Sequence, residues 1–365
     1  MGLVRHVKSR PVLPAPPASP ALVNPPLHRF ATLVAGCTVL LVLAGSLVTS
    51  TGSGLSVPDW PTTYGWNMFA FPPSKWVGGI LYEHGHRLIA STVGFLTIVL
   101  AVWLAIQDPR RWMKWLGAAA LGAVIAQGVL GGLTVLFFLP ASVSTAHAGL
   151  AEIFFCMTVA IALFTSPRWI EGYGSGERLE NIALRRAATT TTLLVYVQIL
   201  IGATMRHTGA GLAIPDFPLM FGHAWPTHWD PKIAIHFAHR VGALVVALAV
   251  ATTAALVWSR GRGTPHTALT RPAGMLVALV VVQITLGALT VLSRRDVWIN
   301  SVHVVCGALV LTTSLVLTLR TWRSKFATIT VHRDVRLKPD ATTEPDATAV
   351  RSVRLQADAT TGAQA

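Results

Sequence analysis

Apolar residues run along this chain in eight long stretches, at 30–50, 84–106, 115–138, 142–165, 187–206, 234–258, 273–293 and 299–321. Each has the ~20 residues a helix needs to cross a hydrocarbon core roughly 30 Å thick. In lipid a backbone must satisfy its own polar groups, and continuous apolar runs of this length do so as helices. The first run is too long for a signal-peptide core and lacks a cleavage site, so it reads as an uncleaved span. Two long segments rich in Trp and Pro, 51–83 and 207–233, stand apart from the shorter basic connections. Residues 1–29 are Pro-rich, basic and aperiodic, which predicts a disordered arm. After Arg320 the apolar signal stops. Residues 322–365 repeat themselves, VRLKPDATT at 335–343 and VRLQADATTG at 353–362, and read as a disordered low-complexity tail.

The pattern predicts an all-α integral membrane protein with eight transmembrane helices. Composition agrees: 52% of residues are hydrophobic and 12% charged, with mean hydropathy +0.56, against roughly 25% charged in a soluble domain. The formal net charge of +14 bears on topology. Fourteen Lys and Arg lie in the N-terminal arm and the connections 107–114, 166–186 and 259–272, against five in the alternate loops. The positive-inside rule then places both termini in the cytoplasm and the two long loops outside. Charge distributed in this way points to membrane lipid and not to nucleic acid. Cys37, Cys156 and Cys306 all fall inside apolar runs, with no spacing of a zinc site or disulfide framework, and read as small core hydrophobes.

The two halves match. TGSGLSVPDWP at 51–61 corresponds to TGAGLAIPDFP at 208–218, HGHR at 84–87 to FAHR at 237–240, and QGVLGGLTVL at 127–136 to QITLGALTVL at 283–292. His147 and His303 are likewise 156 residues apart. Ordered matches at near-constant offset predict a duplicated four-span unit. An even number of spans keeps both copies the same way up, a parallel internal repeat. The expected architecture is two tandem four-helix bundles, 30–165 and 187–321, joined by a cytoplasmic linker, 166–186.

Histidine carries the candidate chemistry. Of thirteen, His6, His28, His266 and His332 read as solvated, and His207, His223 and His228 in an outer loop are weaker candidates. His86 and His239 lie near the outer ends of the second and sixth spans, His147 and His303 near those of the fourth and eighth. Polar rings at that depth are costly and usually functional. Two imidazoles at one height on facing helices suit the iron of a bis-histidine heme. Zinc or copper alone prefers more ligands. The alternative reading is helix-capping or inter-helix hydrogen bonding.

The halves differ at Glu83, three residues before His86, where the second copy has His236. A carboxylate at that spacing shares the ligand's helix face. It is suited to orienting the imidazole or moving protons, or it is a favourable acid near a helix N-terminus. One site then does chemistry and the other moves electrons. Arg87 and Arg240 follow the histidines and suit either heme propionates or interfacial snorkelling. Gly52, Gly54, Pro58, Asp59 and Trp60, repeated as Gly209, Gly211, Pro215, Asp216 and Phe217, are expected to fold as tight caps over each bundle. Gln127, Gln198 and Gln283 read as helix–helix hydrogen-bonding residues.

Together TGSGLSVPDWP, EHGHR at 83–87, STAHAG at 144–149, RHTGAGLAIPDFP at 206–218, HFAHR at 236–240 and SVHVVCG at 301–307 resemble the heme A synthases of bacteria and mitochondria, over about residues 30–321. The resemblance implies an oxidoreductase of the cell membrane that oxidises a methyl group of heme O to a formyl group, giving heme A for terminal oxidases. It implies a heme b on His239 and His303, with Arg240 a candidate propionate contact. The substrate heme would sit near His86, His147 and Arg87, with Glu83 at the essential acidic position. Iron would thus be bound through His86, His147, His239 and His303. Candidate partners are an electron donor or acceptor, the heme O synthase and a second copy of the chain. Many bacterial members carry a cysteine pair in the outer loops, where this chain has Val57 and Thr63, and Ile214 and Met220, so that disulfide cannot form. The competing reading is a bis-histidine cytochrome b that carries electrons without modifying heme. A transporter built on the repeat would need broken spans with polar midplane residues, of which the glutamines are the main candidates.

Overall fold

The computed structural model describes residues 23–172, 182–260 and 267–335. Nine α-helices are present among the described residues: α1 (Pro25–Ser50), α2 (Gly79–Gln107), α3 (Arg111–Leu136), α4 (Ala141–Thr165), α5 (Pro167–Glu171), α6 (Ile182–His207), α7 (Pro231–Arg260), α8 (Thr267–Leu292) and α9 (Val297–Val335). All but the short α5 are long and apolar enough to cross a membrane. The eight expected spans are therefore present, each within a longer helix.

The extensions have local causes. Asn24 caps α1 through its side chain, which accepts from Leu27 N at 3.0 Å, and Pro25 and Pro26 suit the first turn. Residues 25–29 are thus helical, where the arm was expected to be disordered. His28 is also not solvated: its Nδ1 lies 3.0 Å from Ala162 O on α4. At the other end, α9 continues to Val335, past the expected end of order at 321. No Gly or Pro interrupts residues 308–335, and a formed helix propagates at little cost until something stops it. Residues 336–365, the arm before residue 23, and His6 and His266 lie outside the described residues, as does the side chain of His332. Part of the 166–186 linker folds as α5. In α8, Pro272 cannot donate to Ala268 O, and Arg320 Nη1 takes that carbonyl at 2.6 Å.

Helices α1 to α4 pack in a closed ring, each touching the next and α4 touching α1. Helices α6 to α9 share a core that includes Leu184, Val195, Val250, Leu276, Leu311 and Leu317. Thr192 Oγ1 ties α6 to α9 through Ser314 Oγ and Thr318 Oγ1, both at 2.8 Å. α4 also packs against α6, and the chain through Thr321 forms one unit. The central helices are α4 and α9, whose most apolar windows are 50% and 56% buried, against at most 33% in the others. These two carry His147 and His303. Large side chains such as Phe95, Ile106, Leu244 and Leu248 are exposed, as lipid-facing positions are.

Helix alternation puts the loops between α1 and α2 and between α6 and α7 on one side. The turns at 137–140 and 293–296 share that side, here called the loop face.

Candidate functional site

Helices α2, α4, α7 and α9 all start at the loop face. His86, His147, His239 and His303 each stand about two turns in from it. Each ring lies against a glycine of the preceding long helix. A Cβ built on Gly45 would stand 2.9 Å from His86 Cε1, and one on Gly202 would stand 2.8 Å from His239 Cε1. On Gly131 and Gly287 the same atom would be 3.4 Å from His147 Cε1 and 3.1 Å from His303 Cε1. At Gly45, Gly202 and Gly287 a Cβ would crowd the imidazole, whereas at Gly131 it would make an ordinary contact. Gly45 and Gly202 are 157 residues apart, and Gly131 and Gly287 are 156 apart, the offsets of the sequence matches. His147 lies within electrostatic reach of His86, and His239 within reach of His303.

These rings are poorly satisfied. Nδ1 of His86, His147 and His303 is buried without a hydrogen-bond partner. A buried polar group in that state costs about 1–3 kcal/mol unless something binds it. Among the described residues no three His, Cys, Asp or Glu side chains converge as a metal site. Paired imidazoles in an apolar bundle, with orphaned nitrogens, could hold a heme iron.

Three glutamines attend the histidines. Gln127 Nε2 donates to His147 O at 2.8 Å, and Gln198 Nε2 donates to His239 O at 2.7 Å and lies 3.1 Å from its Nδ1. Gln283 Nε2 lies 3.4 Å from His303 Nε2. They are hydrogen-bonding residues as expected, but their targets are the ligand candidates, which sequence reasoning missed. The matched spacing of Gln127 and Gln283 from the histidines was the available signal. His86 has no such partner, and the position that matches Gln198 is Leu41.

The long loops cap the two pairs in the same way. Glu83 is buried, 3% exposed. Its Oε2 accepts from Val57 N at 2.8 Å and its Oε1 from Arg87 Nη2 at 2.7 Å. His236 does the first of these jobs in the second loop, with its Nδ1 3.2 Å from Ile214 N. Val57 and Ile214 are fully buried. Arg87 also donates to the carbonyls of Val57, Asp59 and Thr62 at 2.8–3.1 Å. Arg240 donates to those of Ile214, Asp216 and Leu219 at 2.5–3.3 Å. Both forks clasp loop backbone, where sequence reasoning had weighed propionate contact against snorkelling.

Asp59 accepts from Tyr64 N and Gly65 N at 2.8 and 2.9 Å and from Thr62 Oγ1. Asp216 accepts from Phe221 N and Gly222 N, both at 2.8 Å. Burial pushes the Asp59 carboxyl up, but the bonds from Gly65, Thr62 and Tyr64 outweigh it and hold the group below the usual carboxylate value. The Gly222 amide leads in lowering Asp216. Under the first loop His84 is fully buried, 3.2 Å from Thr63 Oγ1 and packed by Phe71 and Trp76. Trp60 fits against α3 so closely that a Cβ on Gly132 would stand 2.5 Å from its ring. The matching residues are the smaller Phe217 and the larger Ala288.

Sequence reasoning also passed over Glu152 on α4, 5% exposed, whose Oε2 is buried without a partner. A lone acid inside an apolar run was the signal. His207 ends α6 and lies within electrostatic reach of His147, while His223 and His228 lie in the second loop, where His228 packs on Phe221.

Known proteins bear on this arrangement. Residues 28–315 match the family described as "Cytochrome oxidase assembly protein". The chain is 31% identical over 278 residues to a protein of Symbiobacterium thermophilum named heme A synthase, covering 73% of this chain and 85% of that one. It is 28% identical over 298 residues to the heme A synthase of Halalkalibacterium halodurans, covering 79% and 95%. The match to the family spans the helices that carry all four histidines, and the chain belongs to the cytochrome oxidase assembly protein family.

Proposed function

We propose that this multi-pass membrane protein is a heme A synthase, which oxidises a methyl group of heme O to a formyl group. The observation that carries this reading is the pair of histidine pairs, each ring seated on a glycine, with a buried carboxylate one turn from a ligand in the first pair only. The resident heme is heme b on His239 and His303, and it would supply one-electron redox chemistry there. His86 and His147 hold the substrate heme. Turning a methyl into a formyl group takes one oxygen atom from water and releases four electrons and four protons, so the chain needs an electron acceptor and a proton path. Glu83 is placed to accept protons beside His86, with Arg87 ion-paired to it at 2.7 Å. The loops cap the face above the pairs, anchored at Val57 and Ile214. The two halves arose from one four-helix unit, and both termini lie on the cytoplasmic side of the cell membrane.

A second reading, an electron-carrying cytochrome, has one observation in its favour: Glu83 and His236 anchor their loops alike. Heme extracted from protein purified from cells that supply heme O separates the two. Heme B together with heme O or A is expected, with heme A lost in Glu83→Gln while heme B stays. Heme B alone in the wild type would favour the cytochrome, and no heme would overturn both.

A further inference from the structure

Gly202 of α6 seats the His239 ring, and Arg206 stands on the same helix face one turn, roughly 6 Å, nearer the loop face. Arg206 Nη2 donates to Ser46 O and Ser50 Oγ of α1, both at 2.8 Å. Its Nε is buried without a partner. Among the described residues no acid is paired with Arg206, and the charged group that bears on it is another cation. A second cation, Arg295 in the turn before α9, lies within electrostatic reach of Arg206, which in turn reaches His303. Arg295 is held over the second loop, its Cδ 3.9 Å from where a Cβ on Gly211 would be. The neighbouring Asp296 is occupied at the start of α9, where it accepts from Trp298 N and Ile299 N at 3.0 Å. Two cations within electrostatic reach of each other, one with a buried free donor, suit an anion that completes the site.

The corresponding places beside His86 and His147 are neutral. One turn above Gly45 stands Thr49, whose hydroxyl bonds back to Gly45 O at 3.3 Å. In place of Arg295 stands Leu139, with Cδ1 3.3 Å from a Cβ on Gly54.

We propose that Arg206, supported by Arg295, binds the propionate carboxylates of the heme held by His239 and His303. This rests on the proposed heme site between those histidines. The forked guanidinium matches a carboxylate, and its free Nε supplies a donor already inside the protein.

The test uses the purified, heme-loaded full chain. Transfer of heme b to excess apomyoglobin and the propionate bending band in resonance Raman are measured for wild type, Arg206→Gln, Arg206→Lys and Arg295→Gln. Arg206→Gln is expected to release heme at least tenfold faster and to shift the band. Arg206→Lys should recover part of the loss, and Arg295→Gln, which leaves the bonds to Ser46 and Ser50 intact, should show a smaller acceleration, about threefold. Unchanged release and an unchanged band in both glutamine variants would overturn the proposal while leaving the histidine site standing. Loss of co-purifying phospholipid or phosphate in those variants would then identify the anion. A His303→Ala protein that keeps its heme b would instead overturn the site on which the proposal rests.

Discussion

In the first half of the molecule the Val57 amide is received by the Glu83 carboxylate, and in the second half the Ile214 amide is received by the His236 imidazole. Anchoring the loop therefore needs an acceptor but not a charge, and the acid at position 83 calls for a further reason. The other differences run the same way. Glu152 is matched by Ala308, Thr49 by Arg206 and Leu139 by Arg295. One half has buried acids beside a neutral rim, and the other has a cationic rim and no buried acid at those positions. Acids among apolar helices suit proton handling, and unpaired arginines suit a fixed anionic group. A shared backbone plan thus presents two chemistries, which is the division expected if one site turns over and the other stays loaded.

The largest effect should come from the ligands. His303→Ala or His239→Ala is expected to abolish the low-spin b-type visible spectrum, whereas His86→Ala should leave it intact. An unchanged spectrum in either of the first two would break the assignment of the halves. Next comes the exchange Glu83→His, which copies the second half. Heme A formation should fall by about 100-fold or more, with the b-type spectrum unchanged because an imidazole can hold the loop. Normal product from this variant, measured by chromatography, would remove the carboxylate from the mechanism.

A smaller effect is expected where Trp60 meets α3. Gly132→Ala should destabilise by about 1–3 kcal/mol through overpacking, and Trp60→Phe should relieve it, since the second half pairs Phe217 with Ala288. Thermal unfolding of the double variant decides this: no recovery would mean that the two residues are not coupled. The smallest effect concerns acid. Asp59 and Asp216 titrate below the ordinary carboxylate value, so their contribution is present above the unfolded pKa, about 3.9, and is lost as pH falls through the lower folded values. Pepsin cleavage within the two loops should therefore rise only below about pH 4, and Asp216→Asn should remove that rise in the second loop alone. Cleavage rising at pH 5 to 6 would point to histidine titration instead.

Eight spans, their order and the depth of four histidines were legible in the sequence. Hydropathy and residue spacing are properties of the chain itself, and a bilayer forces apolar runs of this length into helices. The limits of α1 and α9 were not, because helices extend past the apolar signal until a cap or a breaker ends them. The seats at Gly45, Gly131, Gly202 and Gly287, the glutamine contacts, the clasping of loop backbone by Arg87 and Arg240, the lack of an acid partner at Arg206 and the unpartnered Glu152 oxygen depend on how each helix is rotated towards its neighbours. Membrane helices are apolar on nearly every side, so no amphipathic stripe records that rotation in the sequence. Packing alone decided which polar atoms found hydrogen-bond partners and which did not.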